Sequence, residues 1–317
     1  MITIKELAKI LGISHSTVSR ALNDHPAISE KTKLRVKKEA IHHGYVVNQA
    51  ANTMKGEATN TIGLLIPDID NTFYARFTSI LTALLRTDGT SLILSVTHDS
   101  KEQEEQAIKQ LLSLRPKTIF SVPTPNISKY SKHMLIENNC IQLIRHSNDM
   151  KSLPFIGIDE INSMSEAVRN VYQKGHSNIA YLGPMTNSST GFERLSGFVS
   201  TCQELGIASN MIATSENDFD SARAKIEDLW NKHKFSAIVL GGEIITQAVW
   251  SFLMEDNLLD KAPIKVVNFG EFSWSRVINA QKSFISLPMT EIAETCYQYT
   301  KNKPSMTNVK HIAHFID

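Results

Sequence analysis

Apolar positions recur along this chain at two different spacings, and the change from one to the other follows Gly56. Before it the interval is three or four residues. Ile4, Leu7, Ala8 and Leu11 form one helical face. At about 100° per residue, Thr17, Val18, Ala21 and Leu22 fall on one arc of a second helix, and His15, Ser16, Ser19, Arg20 and Asn23 on the other. Thr3 and Glu6 have capping-box spacing at the start of the first helix, and Ser14 is placed to cap the second. Ser29 caps a third, from Glu30 to about His43, and Gly44 stands where a left-handed helix end is needed. With Gly12 breaking the chain between the first two, the pattern predicts a helix-turn-helix unit.

After Gly56, short apolar runs alternate with amphipathic stretches. Strands are predicted at 61–66, 91–96, 118–122, 141–144, 155–158, 178–182, 237–240, 264–269 and 283–287. Helices are predicted at 72–87, 101–114, 163–174, 191–205, 221–233 and 243–257. Apolar strands separated by helices imply parallel sheets covered on both faces. So many strands predict two sheets rather than one, with the break near 159–162. The expected architecture is α/β: a three-helix head at 1–45, a linker at 46–58, and two doubly wound lobes at 59–317.

The polar arc of the second helix carries short side chains, which let a backbone lie close to a groove floor. Arg20 suits a bidentate contact to guanine, and His15 and Ser16 can reach base edges. Charge supports the reading. Residues 1–60 hold nine Lys and Arg against five Asp and Glu, whereas the remainder holds 24 against 27. A basic head on a mildly acidic body fits a DNA-binding module joined to something else. The expected DNA-contacting residues there are Thr3, Ser14, His15, Ser16, Thr17, Ser19, Arg20 and Asn23.

Cys140, Cys202 and Cys296 are isolated, so neither a disulfide framework nor a zinc site is expected. No apolar run reaches membrane-spanning length, and Lys5, Glu6 and Lys9 in the first helix exclude a signal peptide; a cytoplasmic, nucleoid-associated location is expected. Nucleotide-binding glycine motifs, the hydrolase nucleophile elbow and metal-ligand spacings are all missing, so no catalytic residue, cofactor or metal is expected. An enzyme with a fused DNA-binding head would need a catalytic constellation. A periplasmic ligand carrier would need a leader and no basic head.

Ligands of doubly wound sheets bind beyond the carboxyl ends of the strands. Those ends carry Asp68, Asp70 and Asn71; His98 and Asp99; Arg145 and His146; Asp159 and Glu160; Glu243; Asn268 and Glu271. Arg194 opens the helix after the Gly183-Pro184 turn. As a set they suit a small polar effector. Arg145 and Arg194, with the hydroxyls of Ser188, Ser189 and Thr190, also suit an anionic group, since two guanidiniums facing one cleft without an anion would repel.

The stretches Thr3–Ala8, Val18–Asn23, Gly44-Tyr45, Asn60–Asp68 and Gly175–Ala180 resemble the LacI/GalR family of bacterial repressors across nearly the whole chain. The resemblance implies a homodimer on double-stranded operator DNA, with a periplasmic-binding-protein fold in its body and a small-metabolite effector. It further implies a hinge helix at Asn48–Lys55, with Met54 in the place of a minor-groove leucine wedge. Val47 stands where Pro is usual and Asn52 where Arg is common. In the body, Asn71-Thr72-Phe73-Tyr74 matches a cleft-lining Asn-Pro-Phe-Phe segment, and Asp159 and Arg194 match effector-binding positions. Gly270, beside Glu271, replaces an aspartate, and Leu287 replaces a glutamine. Together with the strand-end residues, the expected effector set is Asp70, Asn71, Phe73, Arg145, Asp159, Arg194, Glu243 and Glu271. Arg145, the stretch Tyr172–Gly183 and the short carboxyl terminus most resemble the trehalose repressor subgroup. The resemblance therefore implies a repressor of sugar-utilisation genes controlled by a sugar or sugar phosphate, trehalose 6-phosphate first, with a corepressor of other chemistry as the alternative.

Overall fold

The computed structural model describes residues 2–45, 59–138, 140–255, 258, 264–271, 274, 283–301 and 308–317. The chain divides into two compact units, residues 1–59 and 60–317. In the first, α1 (Ile4–Leu11), α2 (His15–Leu22) and α3 (Glu30–His42) close on Leu7, Ala8, Leu11, Val18, Ala21, Val36 and Ala40. The predicted caps are present. The Thr3 N–H donates to Glu6 Oε2 at 2.7 Å and the Glu6 N–H to Thr3 Oγ1 at 3.3 Å. Ser14 and Ser29 cap α2 and α3. Gly12, with φ 65°, ends α1 in the left-handed conformation that glycine adopts without a steric cost. Arg35 Nη2 donates to Leu11 O at 3.1 Å and Lys37 pairs with Asp24 at 2.6 Å, tying α3 to α1 and to the end of α2.

The second unit holds two six-stranded sheets. Its elements, in chain order, are β1 (Thr61–Ile66), α4 (Thr72–Arg86), β2 (Ser91–Val96), α5 (Lys101–Ser113), β3 (Thr118–Ser121), α6 (Lys129–Glu137), β4 (Ile141–Leu143) and β5 (Phe155–Ile158). Then come α7 (Glu160–Gln173), β6 (Ile179–Pro184), α8 (Ser189–Glu204), β7 (Ile212–Ser215), α9 (Phe219–Lys232), β8 (Ala237–Leu240) and α10 (Glu243–Glu255). Last are β9 (Lys265–Phe269), β10 (Phe284–Ser286), α11 (Met289–Lys301), β11 (Val309–His311) and β12 (His314–Ile316). The first sheet runs β11-β5-β4-β3-β1-β2 and the second β12-β10-β9-β8-β6-β7. The pairings are parallel except β10–β12, which is antiparallel. The chain passes between the lobes three times: after β5, after β10 and after β11.

Strands β1, β5 and β8 are buried at every position, as expected for sheets sandwiched between helices. One apolar cluster joins Leu64, Phe77 and Phe120 of the first lobe to Tyr181, Phe198 and Val239 of the second. Separate clusters fill the far face of each sheet. Strands β7, β11 and β12 and helices α6 and α11 lie outside the predicted set. The three strands are short, and residues such as Thr214, Lys310 and His314 interrupt their apolar character.

Candidate functional site

Two regions carry chemistry. In the head, α2 buries Val18 and Ala21 and leaves His15, Ser16, Arg20 and Asn23 exposed, with Thr17 and Ser19 half-buried. Some of the expected contact residues are already engaged. Ser14 Oγ accepts from the Thr17 N–H at 3.1 Å and lies 2.8 Å from the hydroxyls of both Ser16 and Thr17. Thr3 Oγ1 donates to Glu6 Oε2 at 2.8 Å. Thr3 and Ser14 therefore fix the helix ends and offer what remains of their hydrogen-bonding capacity. Arg20 makes no ion pair among the described residues. The exposed face of α2 holds no acidic side chain, so nothing on it repels a phosphate backbone. Asn48 and Met54 lie outside the described residues.

In the body, the carboxyl ends of both sheets meet in a cleft lined by Asn71, Phe73, Tyr74 and Arg145 from the first lobe. Ser188, Thr190, Arg194, Asn217, Glu243, Phe269 and Leu287 line it from the second. Arg194, in the first turns of α8, is its most constrained member. Nε and Nη2 donate to the two carboxylate oxygens of Glu160 at 2.8 and 2.7 Å, Nη1 donates to Gly241 O at 2.8 Å, and the guanidinium lies 3.8 Å from the Phe269 ring centroid. Glu160 is buried at the start of α7, so this is a bidentate pair held away from water. Two of the five guanidinium N–H groups remain for a ligand.

Arg145 follows β4. Ile144 before it sits at φ 62°, a rare conformation for a β-branched residue, and the Arg145 N–H donates back to Leu143 O at 2.6 Å. This tight turn sends the side chain to Asp99, whose Oδ1 lies 2.6 Å from Nη1. Tyr74 is buried among these charges, and burial raises its phenol above the ordinary value. Glu243 reaches across from the second lobe. The Thr72 N–H donates to its Oε2 at 2.8 Å and the Thr72 hydroxyl to its Oε1 at 2.5 Å. Burial raises its carboxyl above the ordinary value, against the lowering effect of the Thr72 and Phe73 donors.

Of the expected effector residues, Asn71, Phe73, Arg145, Arg194 and Glu243 line the cleft, and Asn71 Oδ1 also caps α4 by accepting the Phe73 N–H at 3.0 Å. Asp159 does not line it: its carboxylate caps α7 through the Asn162 N–H and accepts the Asn162 side-chain amide at 2.6 Å. Asp70 is exposed in the turn before α4, where its N–H donates to Asp68 Oδ1, and Glu271 is exposed beyond β9. The expected mutual repulsion of Arg145 and Arg194 is also corrected, because each has its own carboxylate. Asn217 and Phe269 were not anticipated. Asn217 follows β7, a strand without an apolar run, and Phe269 ends a strand whose aromatic residue suits a core equally well. Asn268, expected at the cleft, is instead buried and accepts from Trp250 Nε1 at 2.7 Å.

A basic three-helix head with a free polar helix face, attached to a two-lobed body that closes polar and aromatic side chains around a cleft, is the build of a ligand-responsive DNA-binding regulator. Residues 3–48 match the family described as bacterial regulatory proteins, lacI family, and residues 59–297 the periplasmic binding proteins and sugar binding domain of LacI family. The chain belongs to the LacI family. It is a DNA-binding, sugar-responsive transcriptional repressor and not an enzyme. It is 25% identical to the transcriptional regulator GalR of Escherichia coli, over 98% of this chain and 93% of GalR. To the regulator AscG of the same species it is 27% identical, over 93% and 89%. In fold it resembles the lac repressor dimer bound to operator and the anti-inducer ONPF (TM-score 0.84, 17% identity, 100% of this chain and 98% of that one). It also resembles the CelR–cellobiose complex (TM-score 0.71, 18% identity, 100% and 99%). Among the described residues, no helix is long and apolar enough to cross a membrane.

Proposed function

We propose that residues 1–45 read an operator, that residues 46–58 form a hinge placing Met54 against a base step, and that 59–317 bind the sugar and dimerise. Two copies then act in the cytoplasm on a pseudo-palindromic site in front of sugar-utilisation genes. The acid-free, exposed face of α2 carries the DNA part of this reading, with Arg20, His15, Ser16, Ser19 and Asn23 at base edges and the more engaged Thr3, Ser14 and Thr17 toward the backbone.

For the ligand, the observation that matters is charge. Asp99 and Glu160 neutralise Arg145 and Arg194, while Glu243 adds a carboxylate with no ion-pair partner among the described residues. A lining with this balance suits a neutral, hydroxyl-rich sugar, stacked on Phe73 or Phe269 and hydrogen-bonded by Asn71, Asn217 and the free donors of Arg194. A phosphorylated sugar such as trehalose 6-phosphate is the second reading. It is favoured by Arg145, which makes one carboxylate contact where Arg194 makes two and is therefore the easier guanidinium to turn toward an anion.

Thermal unfolding of the full chain against a panel of neutral and phosphorylated mono- and disaccharides tests both. A ligand at a hundred times its Kd stabilises the folded state by about 2.7 kcal/mol, so a true effector raises the midpoint clearly. Stabilisation by a neutral sugar supports the first reading. A larger effect of trehalose 6-phosphate than of trehalose supports the second, and a panel with no effect contradicts sugar binding.

A further inference from the structure

We propose that Glu243 is a latch that holds the two lobes closed over the cleft before any ligand arrives. It is the first residue of α10 in the second lobe, and both of its carboxylate oxygens are spent across the cleft on one residue of the first lobe. The Thr72 N–H and hydroxyl donate to them at 2.8 and 2.5 Å. No ion pair answers the charge among the described residues. What answers it is the amino-terminal end of α4, a fifteen-residue helix whose first N–H groups have no partner within the helix. Charge-assisted hydrogen bonds to a carboxylate shielded from water are strong ones, and here they bridge two bodies joined by three strand crossings.

The pairing needs both residues. Thr72 is the first residue of α4, with Asn71 as its cap. The segment resembles Asn-Pro-Phe-Phe, and a proline at Thr72 would supply neither the N–H nor the hydroxyl. Polar contacts between the lobes at His146, Ser189, Glu193 and Lys310, among the described residues, involve a different set of side chains. The His146 N–H donates to Ser189 Oγ at 3.0 Å, and Glu193 lies 2.9 Å from His146 Nε2 and 3.3 Å from Lys310 Nζ. Glu243 is thus the carboxylate that spans the cleft at the foot of α4. A sugar entering the cleft has to exchange its own hydroxyls for the Thr72–Glu243 bonds. That consequence rests on the cleft being the sugar site, whereas the latch itself does not.

The test therefore uses ligand-free protein. In the full-length chain, spin labels on Q103C in α5 and K225C in α9 report the distance between lobes, with labelled chains diluted into unlabelled ones to suppress signals between copies. Both positions are exposed, and the three native cysteines are buried. Wild type is expected to give a single narrow distance. Thr72→Pro removes both donors at the helix position where proline is best tolerated, and E243A removes both acceptor oxygens. Both are expected to broaden the distribution toward longer distances, while Thr72→Val, which keeps the N–H, shifts it less. Unchanged helix content by circular dichroism separates this from misfolding, and Thr72→Val keeps the test open if E243A does not fold. Identical distributions in all four proteins, or a wild type already broad, overturn the latch. Neither result bears on whether a sugar stabilises the protein.

Discussion

Arg194 brings the ends of three elements together through one side chain: the start of α7 through Glu160, the end of β8 through Gly241 O, and the end of β9 through the Phe269 ring. Glu160 was legible as a polar residue at a strand end and Arg194 as one opening the helix after the Gly183-Pro184 turn. Their pairing was not, since 34 positions separate them and only the packing of α7 on α8 brings them together. The same limit misplaced Asp159, whose caps-and-turns chemistry is indistinguishable in sequence from a ligand contact. At the DNA face the sequence speaks more directly, because exposure of a short helix follows from periodicity alone. Replacing Arg20 by Ala is expected to weaken operator binding by about 1–3 kcal/mol and to relax base preference at one position in each half-site. Binding measured across operator variants checks this, and an equal loss on every sequence would make Arg20 a phosphate contact. A second residue gives a pH signature. Glu104 is fully buried in α5, and burial raises its carboxyl although the Thr124 N–H and hydroxyl donate to it at 3.0 and 3.2 Å. A carboxyl with a raised folded-state pKa binds its proton more tightly when folded. Its contribution to stability therefore grows as pH falls toward the ordinary value of 4.5, and it fades as pH rises through the folded-state value. Denaturant unfolding of wild type and Glu104→Gln between neutral pH and the edge of acid unfolding is expected to show wild type gaining relative to the variant as pH falls. A constant difference would contradict the assignment.

Among the elements, those carrying a continuous apolar run or a capped amphipathic face were legible, often to the residue: β1, β2, β5 and β8 match their predicted bounds. Helix starts were legible where a cap stands before them, because Ser14, Ser29 and Asn71 each accept the N–H two or three positions on. The strands that escaped, β7, β11 and β12, are three or four residues long and lie at or next to sheet edges, where burial on two faces does not force an apolar pattern. Helix–helix fit was hidden as well. The α7–α8 contact depends on Gly197, where an added Cβ would meet Ile161 O at 2.5 Å and Ile161 Cα and Met164 Cβ at 3.0 Å. The first of these is backbone and cannot turn aside. Gly197→Ala should therefore push α8 from α7 and loosen the Arg194–Glu160 pair one turn earlier, costing about 1–3 kcal/mol of stability. Urea unfolding with tryptophan emission as the probe gives that number. A variant as stable as wild type, with unchanged ligand binding, would show that the crossing has slack.

For the whole molecule, sequence periodicity separated a helical head from an α/β body, and the charge difference between them gave the head its partner. Two of the three passages of the chain between lobes, after β10 and after β11, were beyond reach, since they depend on the short strands at the carboxyl end. In the proposed mechanism these passages let one body sense a sugar in its cleft as a change in the disposition of its two lobes, since an effector acts only through its different affinity for the two arrangements. The central claim is that a sugar in the Arg194 cleft controls DNA binding by the α2 face. Its most direct measurement is a fluorescence anisotropy titration of an operator duplex, selected from random sequence with the full-length protein, with and without the sugar that stabilises the chain. Wild type is predicted to bind a pseudo-palindromic site whose affinity changes by about 5- to 150-fold when the sugar is added. Arg194→Ala is predicted to keep the site and lose the change. Selection that returns no preferred sequence, or an Arg194→Ala protein that responds to the sugar as wild type does, would contradict the account.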